Sequence, residues 1–191
     1  AAARGIPAAL LIDRVRPLLR EMLLNGASPA EALTNANVIL HSYAPLDKAE
    51  VSPFVSAFIG ELSVDDGLFT WAGAGQNPPC RLLGGEVASL PWSGDLPLGV
   101  KPDAAWRSQS TALLPGETLF VCGTRLTALP SPSGEPFGEE RLAAIMKESA
   151  GSPAKLLGAV HEACLVHTAS AETPPEDLAM LALRWLGRTR L

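Results

Sequence analysis

Little of this chain is charged: 18% of its 191 residues are Asp, Glu, Lys or Arg, and the net charge is only −5. Without a basic stripe there is no electrostatic footprint for nucleic acid. Long apolar runs are missing as well. None reaches the length needed to span a bilayer, and no basic-plus-apolar signal opens the chain, so no membrane association is expected. Cysteine is sparse and dispersed, at Cys80, Cys122 and Cys164 with no C-x-x-C pair. An odd, scattered set reads as buried thiols in a reducing compartment, which points to the cytoplasm. Also absent are a G-x-S-x-G elbow and a G-x-x-x-x-G-K-[ST] loop, which leaves triad hydrolases and P-loop enzymes without support. What is present is apolar: 47% hydrophobic residues, enough for a large core and the opposite of a disordered composition. The length suits one domain over 1–191.

Taken in order, the chain opens with a helical pattern: Leu11, Val15, Leu18, Leu19, Met22 and Leu23 recur at helical spacing before a stop at Gly26. Pro17 inside it predicts a bend. Ser28-Pro29-Ala30-Glu31 is a capping box that starts a second helix to about Tyr43, with Leu33, Ala36, Asn37 and Leu40 inward and His41 on its surface. A loop over 44–52 leads to strands at 54–62 and 68–72, joined as a hairpin through Asp65-Asp66-Gly67. Gly73 to Pro79 is a rigid turn. Short strands are expected at 80–83 and 86–90, a bend within 92–100, and a strand over 106–113. Pro115-Gly116 then precedes a buried strand, Glu117 to Cys122, and a loop. Pro130–Pro136 is the candidate for a mobile surface loop. Helices follow at 138–149 and after Ser152-Pro153, the second with Leu156, Leu157, Val160, Ala163 and Cys164 inward. Residues 178–186 close as an apolar strand. Hairpins plus paired helices give an α+β fold, and periodicity stops there.

The landmarks Gly5-Ile6-Pro7, Gly73 to Pro79, Leu96-Pro97-Leu98-Gly99, Leu114 to Cys122 and Glu135 to Leu142 occur in an order that resembles the bacterial SpoIIE/RsbU-like branch of the PPM (type 2C) metal-dependent serine/threonine phosphatases. The resemblance implies an antiparallel β-sandwich flanked by helices. It implies too that this chain is the C-terminal part of a longer protein, with the family's leading strands before Ala1.

The same resemblance locates the departures. In the family, carboxylates from three motifs hold two divalent metals that activate a bridging water. Where the family has Tyr-Thr-Asp-Gly, this chain has Cys122, Gly123, Thr124 and Arg125. The first motif, Asp-Val-x-Gly-His-Gly, aligns its last five positions with Ala1 to Gly5, with Ala3 for its internal glycine. Its aspartate would precede the chain. The Asp-Asp-x-Thr motif aligns with Glu176, Asp177, Leu178 and Ala179, and the family's Ala-Gly-His-Asn-Pro-Pro turn has Gln76 in place of histidine. Hard cations take oxygen ligands, and of those expected here only Glu176 and Asp177 survive as acids.

The resemblance therefore implies a pseudophosphatase: no catalytic residue, no metal cofactor, and a fold kept as a protein-binding surface. Its partner would be a sigma factor, an anti-sigma factor or an antagonist protein, with a homodimer left open. The competing reading is an active phosphatase using Mn or Mg, with Glu176 and Asp177 among its ligands and its first motif outside this chain. Arg125 is expected to reach both acids as a counter-charge in place of metal. Three other clusters have plainer explanations. Glu176-Asp177 alone could be turn acids, His161, Cys164 and His167 splay around one helix and suit packing better than zinc, and Asp65-Asp66 suits a turn better than calcium.

Overall fold

The computed structural model describes residues 6–42, 54–92, 96–149, 151–169 and 178–188. Its elements run α1 (Ile6–Leu24), α2 (Pro29–Ser42), β1 (Ala57–Leu62), β2 (Leu68–Ala74), β3 (Cys80–Leu83), β4 (Glu86–Ser89), β5 (Gln109–Ala112), β6 (Thr118–Cys122), α3 (Thr124–Thr127), α4 (Glu139–Glu148), α5 (Pro153–Thr168) and β7 (Met180–Arg184). They sort into two compact units, and all strand pairs in both are antiparallel. The expected α+β class with antiparallel sheets and helices is the one found.

The first unit holds residues 1–63, 68–76 and 93–112. The helix α1 stays helical through Pro17. It ends where expected because Gly26, at φ +86°, takes a conformation that other residues resist. Gly26 N–H donates to Leu23 O at 3.0 Å and Ala27 N–H to Met22 O at 3.0 Å, which satisfies two carbonyls of the last turn. The capping box then forms: Ser28 N–H donates to Glu31 Oε2 at 2.8 Å, and Glu31 N–H to Ser28 Oγ at 3.3 Å. Helix α2 buries Leu33, Ala36, Asn37 and Leu40 as predicted, and Ala32 as well, against β1 and β2. Asn37 is wholly buried yet satisfied. Its Oδ1 accepts from Gly99 N–H at 2.7 Å and its Nδ2 donates to Lys101 O at 2.8 Å, so α2 holds the 99–102 loop. His41 is half-buried, not on the surface, because the buried face of α2 extends to Leu40.

The sheet of this unit has the order β1-β2-β5. Two strands are shorter than their patterns predicted. β1 begins at Ala57, since Val55 forms only an isolated bridge to Leu98. β5 begins at Gln109. Trp106 lies outside the ladder, buried, and gives its indole N–H to Leu96 O at 3.0 Å.

The second unit holds residues 64–67, 77–92 and 113–191, with the sheet order β4-β3-β6-β7. β6 is flanked on both edges, and all five of its residues are buried, which explains why Leu119 to Cys122 are apolar without alternation. Helix α5 packs on β7 and on α4. Their core joins Phe120, Leu126, Phe137, Met146, Leu156 and Val160. The loop expected after β6 is instead the single turn α3, whose Leu126 enters that core. Gly67, at the end of the Asp65-Asp66-Gly67 turn, has φ +74°, and a Cβ there would meet the Trp185 ring at 2.6 Å. No other residue fits.

Candidate functional site around the end of β6

The antiparallel register pairs Cys122 with Met180, and Gly123 N–H donates to Ala179 O at 3.0 Å. Position 124, where the phosphatases carry an aspartate, therefore sits at the end of a buried central strand, beside the start of β7. Gly123, extended at φ −65° and ψ 151°, turns the chain from strand into α3. Both Thr124 and Arg125 are exposed on the first residues of that turn. Glu176 and Asp177 lie outside the described residues, and so does any pairing of them with Arg125.

The turn is braced from behind. Thr127 Oγ1 donates to Thr124 O at 3.3 Å, and Asn77 Nδ2 donates to Thr127 Oγ1 at 3.1 Å and to Cys122 Sγ at 3.7 Å. The Gly73–Pro79 segment thus supplies Asn77 as the tie between β6 and α3. Burial pushes the Cys122 thiol up to about 11 despite that amide contact, so it is a protonated core group and not a nucleophile. Cys80 and Cys164 are raised for the same reason. A scattered trio in sequence, the cysteines all belong to the core of this one unit.

Two polar clusters escaped the sequence reading. Glu117, one residue before β6, is wholly buried. Its Oε1 faces Arg81 Nε at 2.6 Å in ion-pair contact, and its Oε2 accepts from Arg81 Nη2 at 3.0 Å and from Leu114 N–H at 2.8 Å. The only hint in sequence is a lone acid at the head of an apolar strand. The second cluster is centred on His167. Its Nε2 lies 3.1 Å from Leu129 O and 3.0 Å from Glu135 O, and its Nδ1 lies 3.1 Å from Arg141 Nη1. Two carbonyls can only accept and a guanidinium can only donate, so the ring carries its proton on Nε2. Arg141 also donates to Phe137 O at 2.8 Å and pairs with Glu135 at 3.2 Å. His167 is thus a structural group. Its helix neighbour His161 is exposed and Cys164 buried, as splayed positions require. The same contacts correct the expectation of a mobile 130–136 loop. Pro130 and Pro136 form a bridge at its base, and Ser131 closes a turn within it.

Where the resemblance expects a carboxylate at position 124, the chain has a threonine hydroxyl followed by a guanidinium, and no three Asp, Glu, His or Cys side chains converge among the described residues, which do not include Glu176 and Asp177.

The whole constellation, from residue 3 to residue 186, matches the model of the family described as Stage II sporulation protein E (SpoIIE). The chain belongs to the SpoIIE family. Its fold is similar to the RsbU and RsbW domain structure of Rv1364c from Mycobacterium tuberculosis, at 20% identity and a TM-score of 0.78 over 98% of this chain and 51% of that one. It is also similar to the SiaA PP2C domain of Pseudomonas aeruginosa, at 19% identity and 0.76 over 94% and 71%. The PP2C phosphatase domain of SpoIIE from Bacillus subtilis matches at 17% and 0.74 over 95% and 51%. Protein IcfG of Synechocystis sp. is 22% identical over 149 residues, which is 78% of this chain and 23% of that protein. The chain thus spans about half of the Mycobacterium structure and less than a quarter of its curated relative. PPM-type signalling domains share its architecture, and no described helix is long and apolar enough to cross a membrane.

Proposed function

We propose that the chain is one PPM-type domain that has given up metal-dependent catalysis and serves as a regulatory protein-binding module in bacterial partner switching. The observation that carries this reading is the pair Thr124-Arg125 at the end of β6. What supports it is that Thr124, at the position that resembles the family's aspartate, follows the end of β6 beside the start of β7, and that the side chains there are a hydroxyl and a cation. A guanidinium beside a would-be carboxylate site competes with a divalent ion for the same charge. The partner is a sigma factor, an anti-sigma factor or its antagonist. The RsbU and RsbW domains in the Mycobacterium relative, and the naming of Bacillus SpoIIE as a cell fate determinant, support a switching context. Glu176 and Asp177 are remnants of the third motif, with Arg125 their counter-charge.

The test uses the full-length protein with a phosphoserine peptide and millimolar Mn²⁺ or Mg²⁺. No release of phosphate above the metal-only control is expected. Manganese-dependent turnover abolished by Asp177→Asn would establish the other reading, an active serine/threonine phosphatase whose first motif precedes residue 1.

A further inference from the structure

Behind β6 the second unit contains a recess of about 240 Å³ that borders the Asn77, Cys122 and Thr127 brace but includes neither Thr124 nor Arg125. Its walls come from five elements. β3 and β4 contribute Cys80, Val87 and Ser89, the end of β6 contributes Cys122, α3 contributes Thr127, and α4 contributes Glu139, Glu140, Leu142 and Met146. The floor is apolar: Leu142 and Met146 are buried, and both thiols are held protonated by their burial. The polar groups on its rim are the carboxylates of Glu139 and Glu140, the Ser89 hydroxyl and the amide of Asn77. The Asn77 NH₂ is already donated to Thr127 and Cys122, which leaves its carbonyl oxygen as the available atom. Among the described residues no lysine, arginine or histidine lines the recess. Glu139 and Glu140 make no hydrogen bond or ion pair among the described residues.

An apolar floor under a rim of acceptors with two carboxylates that no described cation pairs, offset only by the N-terminus of α4, favours a ligand of one kind. Anions, phosphate included, are repelled. An apolar body fills the floor, and a cationic donor meets the rim. We infer that this recess is a binding site for a small organic cation, an apolar molecule bearing one amine or guanidinium. The site shares no residue with the Thr124-Arg125 pair, so it holds whether or not the domain turns over phosphate.

Phenethylamine, 2-phenylethanol and phenylacetate have nearly the same size and differ in charge, and they serve as probes on the full-length protein. Binding is read by the ¹³C-methyl shift of Met146, assigned with Met146→Leu. The amine is expected to bind tightest, the alcohol more weakly and the acid not measurably. The double variant Glu139→Gln/Glu140→Gln should weaken the amine about fivefold, the scale of two exposed ion pairs, and leave the alcohol unchanged. Both substitutions lie on exposed positions of α4 and keep its core face intact. Three results would each overturn the proposal: equal binding of all three probes, an amine affinity indifferent to the double variant, or no shift at Met146 with any probe.

Discussion

At the scale of single residues, the most costly commitment in the second unit is the buried carboxylate of Glu117. A carboxylate removed from water is tolerated when its oxygens are paired, and here a guanidinium and a backbone N–H together take both. The pair itself adds little net stability, because desolvation offsets most of its attraction. Breaking it is different. Arg81→Ala leaves the charge buried alone and should cost about 3 kcal/mol in denaturant unfolding, at the lower end of the range because Arg81 is 30% exposed. The double variant Arg81→Leu/Glu117→Met should recover most of that loss. If the single and double variants are equally destabilised, the cost lies in packing and not in the stranded charge. Thr124 and Arg125 stand in contrast. They are exposed, so their exchange for other residues is expected to be tolerated structurally.

At the scale of elements, the segment between α3 and α4 shows how a Pro- and Ser-rich stretch becomes ordered without regular structure. Its backbone carbonyls at Leu129 and Glu135 are taken by one imidazole from α5, and those at Pro136 and Phe137 by one guanidinium from α4. The Phe137 ring adds packing, with Arg141 5.5 Å above its centre and His167 edge-on at 5.4 Å. His167→Ala removes both carbonyl partners and the acceptor of Arg141. It should destabilise by roughly 1–3 kcal/mol and open the 130–136 segment to limited proteolysis. An intact cleavage pattern in that variant would show that the bridge at the loop's base is sufficient. The helices α1 and α2 follow a simpler rule. A glycine stop followed at once by a capping box makes their boundary a local property, satisfied by neighbouring residues.

At the scale of the whole molecule, the family match runs across both compact units, so the architecture does not depend on which side chains stand at positions 124 and 125. Stability and metal binding can therefore be separated. A ligand that binds only the folded state at a hundred times its Kd adds about 2.7 kcal/mol, a shift of several degrees in Tm for a chain of this size. Addition of millimolar Mn²⁺ to the full-length protein should leave its Tm unchanged. A concentration-dependent rise would mean that a cation site forms, and it would return the domain to the metal-dependent members of its family.

The residues by themselves determined the helices, the hairpin turn, the buried strand ending at Cys122 and the antiparallel α+β class. Each rests on a local cause: periodicity of 3.6 or 2, a cap, or a glycine at positive φ. The family landmarks were legible too, and with them the departure at Thr124 and Arg125 from the Asp-Gly that the resemblance expects. Other features needed the tertiary structure. The pairing of Arg81 with Glu117 spans 36 residues, and that of His167 with Leu129 spans 38. A polar side chain carries no mark in sequence of the distant group that will satisfy it. The same holds for the strands that proved shorter than their patterns, because a residue such as Trp106 can be apolar for the sake of a core and still lie outside any ladder. The recess behind β6 is the furthest case. Its walls come from strands and helices far apart in the chain, and its charge selectivity depends on which cations fold elsewhere, a fact that only packing decides.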